Sequence, residues 1–278
     1  MAATKSPRIA RNAHRAPFEC IALLLQGGGA LGAYQAGVYE ALAEADLAPN
    51  WIAGISIGAI NSALIAGNPP ETRVDRLRQF WEAITTEAAL SAPDAPFVAM
   101  FDNDMARRAH VALSSVRSII DGQSGFYCPR FLSPWFQSGA SPARLSYYDT
   151  RPLKSTLERF VDFDRINSRE LRFSVGAVNI RSGNFAYFDN TQEEIEPEHI
   201  LASGALPPAF PMVKIGTDYY WDGGIVSNTP LDYVLSEDQT NPLLVFQVDL
   251  FSARGPLPKT MFDVTEREKD IRFSSRTR

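Results

Sequence analysis

The chain has 278 residues, 45% hydrophobic and 21% charged, enough to bury the core of one domain and too apolar for wholesale disorder. A net charge of −5 and the lack of a basic stripe with interleaved aromatics exclude a nucleic-acid signature, and the longest apolar run, Ile21 to Leu25, falls far short of the ~20 residues of a membrane-spanning helix. Two cysteines, Cys20 and Cys128, cannot make a disulfide framework and have no Cys or His at metal-ligand spacing. They read as reduced thiols of a cytoplasmic protein, with no metal expected.

The first 18 residues carry Lys5, Arg8, Arg11 and Arg15 and no acid, which predicts a basic, disordered tail, with an organellar transit segment as the alternative. Ile21 to Gln26 is a short apolar run of the kind buried on both faces in a parallel sheet. Gly27-Gly28-Gly29 ends it. From Gly32 to Ala45, Tyr34, Val38, Ala41, Leu42 and Ala45 recur at helical spacing. Asn50 to Ala53 opens a second strand, which runs into Gly54-Ile55-Ser56-Ile57-Gly58 and then an apolar helix from about Ala59 to Ala66. Two successive strand-loop-helix units predict an α/β fold, with a mainly parallel central sheet and helices on both faces.

Residues 68–150 are broken by prolines and read as an insertion or cap within the domain, with one helix from Val74 to Ile84. Its aromatic stretch, 125–148, either packs over the core or forms a lid that meets lipid. Beyond it the pattern predicts a helix that follows Arg151-Pro152-Leu153 and runs to Phe160, a strand over Leu171–Asn179 and a hairpin partner at Phe185–Phe188. A short helix at His199–Ala205, a strand through Tyr219–Trp221 into Asp222-Gly223-Gly224, and a buried strand at Leu243–Leu250 follow. Residues 256–278 are a charged, helix-like tail that stops without a terminating signal.

Gly54-Ile55-Ser56-Ile57-Gly58 is a G-x-S-x-G between a strand and a helix, the arrangement that presents a nucleophilic serine on a strained turn. Glycines two residues either side let strand and helix approach closely, and the helix N-terminus favours an oxyanion. The bland alternative is a serine capping the following helix. A serine needs a base, and the three histidines are poorly placed: His14 in the tail, His110 in the insertion, and His199, which follows Asp189 by only ten residues. Asp222 is the better candidate, because Gly223 and Gly224 let the chain turn beside another backbone. Its bland reading is an Asp-Gly turn.

Taken together, QGGGALG at 26–32, GISIG at 54–58 and DGG at 222–224 resemble the patatin-like phospholipase family, as do ASGALPPAFPMV at 202–213 and NTP at 228–230. The resemblance spans about residues 21–250 and implies a three-layer domain over 19–255. It implies a Ser56–Asp222 dyad that hydrolyses lipid acyl esters through an acyl-enzyme without a cofactor, and an oxyanion hole of Gly27, Gly28 and Gly29. Gly54, Gly58, Gly223 and Gly224 support the motifs. Peripheral membrane contact through 125–148 goes with this reading, and transfer of the acyl group to an alcohol is the alternative outcome. Leu31 departs from the family, many members of which have a basic residue there. A rival reading takes Gly27, Gly29 and Gly32 as a dinucleotide fingerprint, which requires an acid about 20 residues on, where Ile52 stands. A non-enzymatic lipid-binding module on the same fold is the third.

Overall fold

Residues 18–90, 121–131, 134–136, 141–237 and 242–275 are described by a computed structural model. The basic tail, save its last residue, His14, His110 and the middle of the insertion lie outside them. The first strand, β1 (Cys20–Leu25), is followed by a 3-10 turn at Gly29–Gly32 and helix α1 (Ala33–Glu44). Next come β2 (Trp51–Gly54), α2 (Ile57–Ala66) and α3 (Arg73–Leu90), the last longer than the Val74–Ile84 expected. The cap contributes a two-residue pair, β3 (Cys128–Pro129) with β4 (Tyr148–Asp149). After it come α4 (Arg151–Phe160), α5 (Phe163–Asn167), β5 (Arg172–Asn179), β6 (Phe185–Asp189) and α6 (Pro197–Ser203). The described chain ends with β7 (Val213–Ile215), β8 (Asp218–Asp222), α7 (Leu231–Ser236), β9 (Leu243–Val248) and α8 (Met261–Phe273).

The main sheet runs β7-β8-β5-β2-β1-β9, with β6 also on β5. The β9, β1, β2 and β5 pairings are parallel, and β6, β7 and β8 are antiparallel additions. The α/β class with a mainly parallel sheet is therefore borne out. Alternation along β1 shows both faces covered: Leu23 and Leu25 join the large core with α2 and α3, while Ala22 and Leu24 join a smaller one with Trp51, Ala53 and Val234 of α7. The expected buried strand at 243–250 is instead the half-buried edge β9.

The pairing of β5 positions the site. β6 and β8 both pair with Ala177 and Val178, so they lie on opposite edges of β5. β2 overlaps β6 at Ser174 and Val175, so it shares the β8 edge. Along that one edge β2 and β8 run toward each other. Gly54 at the end of β2 stands opposite Val175, and Asp222 at the end of β8 opposite Ala177. The two chain ends meet across Gly176.

Candidate active site

Ser56 follows β2 with φ 55° and ψ −122°, a left-handed backbone that a non-glycine residue adopts only when the surroundings impose it. The surroundings are close. A Cβ on Gly54 would lie 2.3 Å from the Gly58 carbonyl oxygen, and one on Gly58 would lie 2.1 Å from that of Leu25. Both clashes are with main-chain atoms, which cannot swing aside, so glycine at these positions is what lets the turn form. Although Ser56 precedes α2, its side chain makes no capping hydrogen bond, which removes the bland reading of this serine. The hydroxyl is free to face the sheet edge.

Asp222 is 3% exposed. Its Oδ1 accepts the Gly224 N–H at 2.7 Å, the Asp-Gly turn expected, and the Ser56 hydroxyl lies within hydrogen-bonding reach of the carboxylate. Desolvation by burial dominates and pushes its pKa from 3.8 up to about 7, against the lowering effect of the Gly224 amide and the Ser56 hydroxyl. A carboxylate poised there is half ionised near neutrality. Turn geometry and a reactive environment coexist in one residue.

The end of α6 and the residues just after it hold both residues in place. Ser203, fully buried, donates its hydroxyl to the Gly176 carbonyl at 2.7 Å and accepts the Ser56 N–H at 2.9 Å. Two residues on, the Ala205 carbonyl accepts the Asp222 N–H at 3.1 Å. Ser203 thus fills the gap in the β5 ladder between β2 and β8. In the sequence this serine stands inside the ASGALPPAFPMV motif, where nothing marks its task.

The glycine loop lies beside them. Gly27 donates its N–H to the Asn228 carbonyl at 3.4 Å, and Asn228 returns its Nδ2 to the Gly27 carbonyl at 2.9 Å. Gly28 and Gly29 have no acceptor for their N–H groups among the described residues. Gly29 has φ +57° and open space around it. Below the loop, Gln35 Nε2 donates to the Gln26 carbonyl at 2.7 Å and Asn61 Nδ2 to that of Gly32 at 2.9 Å. Gln26 Oε1 accepts the Leu250 and Phe251 amides. Gln26, Gln35 and Asn61 are fully buried. A visible signal for Asn61 is its amide inside a helix where only Ser62 is also polar, since a buried amide must find partners.

His199 plays no part in this constellation. Its Nδ1 accepts the Glu196 N–H at 2.9 Å in the cap of α6, and its Nε2 has no hydrogen bond. Gly32 sits tight for a packing reason: a Cβ there would meet the Ile57 side chain at 2.4 Å. The cavity over Ser56 is about 120 Å³ and is lined by the three loop glycines, Ser56, Leu206, Asp222, Gly224, Asn228, Phe251 and Phe273. Phe273 belongs to the segment read as a tail. Its carbonyl accepts both Gln26 Nε2 at 3.0 Å and Asn228 Nδ2 at 2.9 Å.

Among the described residues no group of His, Cys, Asp and Glu is arranged to hold a metal ion, and no helix is long and apolar enough to cross a membrane. A sequence model of the patatin-like phospholipases matches residues 23–235, from β1 to α7. The chain belongs to the patatin-like phospholipase family. Among solved structures it is similar to VipD from Legionella pneumophila, at 15% identity and a TM-score of 0.44, over 84% of this chain and 50% of that one. The chain thus spans about half the length of that structure. No curated protein sequence matches it. The matched span carries every residue of this site except Leu250, Phe251 and Phe273.

Proposed function

We propose that this patatin-like protein hydrolyses carboxylic acyl esters of lipids through a Ser56–Asp222 dyad. The observation that carries the reading is a strained, uncapped serine in reach of a buried carboxylate with a pKa of about 7. Ionised Asp222 takes the Ser56 proton as Oγ attacks the ester carbonyl carbon. The oxyanion that forms accepts the free N–H groups of Gly28 and Gly29, while the Gly27 amide stays with Asn228 and fixes the loop. Collapse expels the alcohol, which takes the proton from Asp222 and leaves an acyl-enzyme. Asp222 then draws a proton from water, the hydroxide so generated attacks the acyl carbon, and Asp222 returns the proton to Ser56 Oγ as the bond to it breaks, which releases the fatty acid and restores both residues.

No cofactor is needed for this sequence of steps. Family membership favours lipid esters as substrates, and the cap adds a surface suited to them. Phe131 is fully exposed and Trp135 is 79% exposed, apolar side chains of the kind that enter a membrane interface. Main-chain bonds from Tyr147 to the Pro208 carbonyl and from Tyr148 to that of Ala209 tie this cap to the loop of Leu206 over the catalytic cavity. Hydrolysis of p-nitrophenyl butyrate by the wild type, Ser56→Ala and Asp222→Asn tests the proposal. Both variants should lose at least about a thousandfold in kcat/KM; turnover that survives either change would refute the dyad.

A further inference from the structure

The oxyanion donors in the dyad reading are the N–H groups of Gly28 and Gly29. A trans peptide is planar, so each N–H points opposite to the carbonyl of the residue before it. The direction of the Gly29 N–H is therefore set by the Gly28 carbonyl, which is fixed locally: it accepts the Leu31 N–H at 3.2 Å in the 3-10 turn. The direction of the Gly28 N–H is set by the Gly27 carbonyl, which has no hydrogen-bond partner nearby in sequence among the described residues. Gly27 and Gly28 carry no side chain to bias the peptide between them, so local sterics leave it able to turn either way. Turned over, it would present an acceptor to the cavity where the reaction needs a donor.

What holds it is Asn228, which lies 201 positions away in sequence. Its Nδ2 donates to the Gly27 carbonyl at 2.9 Å, and its own main-chain carbonyl accepts the Gly27 N–H. The second hydrogen of Nδ2 goes to the Phe273 carbonyl, also at 2.9 Å. Two carbonyl partners identify that end of the side chain as the nitrogen and use both of its hydrogens. Asn228 is buried, and a Cβ on Gly27 would lie 2.4 Å from its Oδ1, so only glycine lets the amide come this close. We propose that Asn228 is the positioning residue of the oxyanion hole: its side-chain amide, steadied by the end of α8, holds the Gly27 carbonyl to one wall of the cavity and thereby turns the Gly28 N–H away from that wall, toward the developing oxyanion. This rests on the dyad reading above and deepens it, since Ser56 and Asp222 do the chemistry and Asn228 acts only through the loop. Phe273 lies beyond the span matched by the family model, so the hold on the loop reaches outside that span.

Asn228→Leu keeps the bulk of the side chain and removes both hydrogens. With p-nitrophenyl butyrate it should lower kcat about a hundredfold, the loss expected for one oxyanion donor, and leave KM within about threefold. An alkyl trifluoromethyl ketone reports on the hole itself: Ser56 Oγ adds to its carbonyl carbon, the hydroxyl proton passes to Asp222, and the carbonyl oxygen becomes a bound oxyanion. Its inhibition constant should rise about a hundredfold in the variant, while that of the matching methyl ketone, which stays a ketone, should change by less than about threefold. Asn228→Ala, which only removes atoms, should show the same split at about tenfold or more. Wild-type kcat, or equal weakening of both ketones, would overturn the positioning role. A trifluoromethyl ketone that does not add to Ser56 in the wild type counts against the dyad instead, and crystal structures of Ser56→Ala with and without Asn228→Leu then decide on Asn228 alone. The Gly27–Gly28 peptide should turn over in the double variant; an unchanged peptide would overturn the proposal whatever becomes of the dyad.

Discussion

Replacing Asp222 with asparagine should make the protein inactive and, at alkaline pH, more stable. In the folded chain the Asp222 pKa is about 7 against 3.8 for an unperturbed carboxyl. Between these values the folded state binds more protons than the unfolded state, so stability falls as pH rises. The contribution is fully present below 3.8 and gone above 7. Of that window about two pH units lie between pH 5 and pH 8.5, which at ~1.4 kcal/mol per unit costs the wild type about 3 kcal/mol. The side-chain amide of Asp222→Asn has no charge to bury and can still accept the Gly224 N–H, so the variant escapes this loss. Urea unfolding of both proteins at pH 5, 7 and 8.5 measures the difference, and pairing them subtracts every other titrating group. The variant should gain about 3 kcal/mol relative to the wild type across the series, or roughly 6–12 °C in Tm. A difference that stays flat with pH would refute the buried, charge-bearing carboxylate. The wild-type rate runs the other way: kcat/KM should rise about tenfold per unit below pH 7 and level off above it, because only ionised Asp222 accepts the proton.

Three other substitutions separate the roles assigned here. His199→Ala removes a helix cap, worth about 1 kcal/mol, and should leave kcat/KM for butyrate esters within about threefold; a hundredfold loss would restore a histidine base. Ser203→Ala strands the buried Gly176 carbonyl and the Ser56 amide, at about 1–3 kcal/mol. It should lower kcat by between about tenfold and a hundredfold with KM little changed, since misplacing the nucleophile costs that much; wild-type kcat would remove its positioning role. Gly58→Ala forces a Cβ to 2.1 Å from the Leu25 carbonyl and should cost about 3 kcal/mol or more, read as a Tm drop or insoluble protein. A wild-type Tm would contradict the turn geometry.

Local patterns made much of this fold legible. The apolar run at Ile21–Leu25, the glycines after it and the helical spacing of α1 lie in one continuous stretch, and α4 and the β5–β6 hairpin are equally local. What stayed hidden depends on partners distant in sequence. Three-residue β7 has no alternation to read and exists because it pairs with β8. β9 is half-buried only because the sheet order puts it at the edge. The docking of Phe273 on Gln26 and Asn228 is invisible in a segment whose composition is that of a solvated helix. At the site, Ser56 and Asp222 were legible as motif residues. The task of Ser203 was not, because its acceptor is a main-chain carbonyl 27 residues away.

The central claim, that Ser56 forms the acyl-enzyme, is tested most directly by mass spectrometry of the protein after treatment with an alkyl fluorophosphonate. The expected result is one adduct per chain, on the peptide that contains Ser56, formed faster as pH rises through about 7 and absent in Ser56→Ala. An adduct on another residue, or none on the folded wild type, would contradict it.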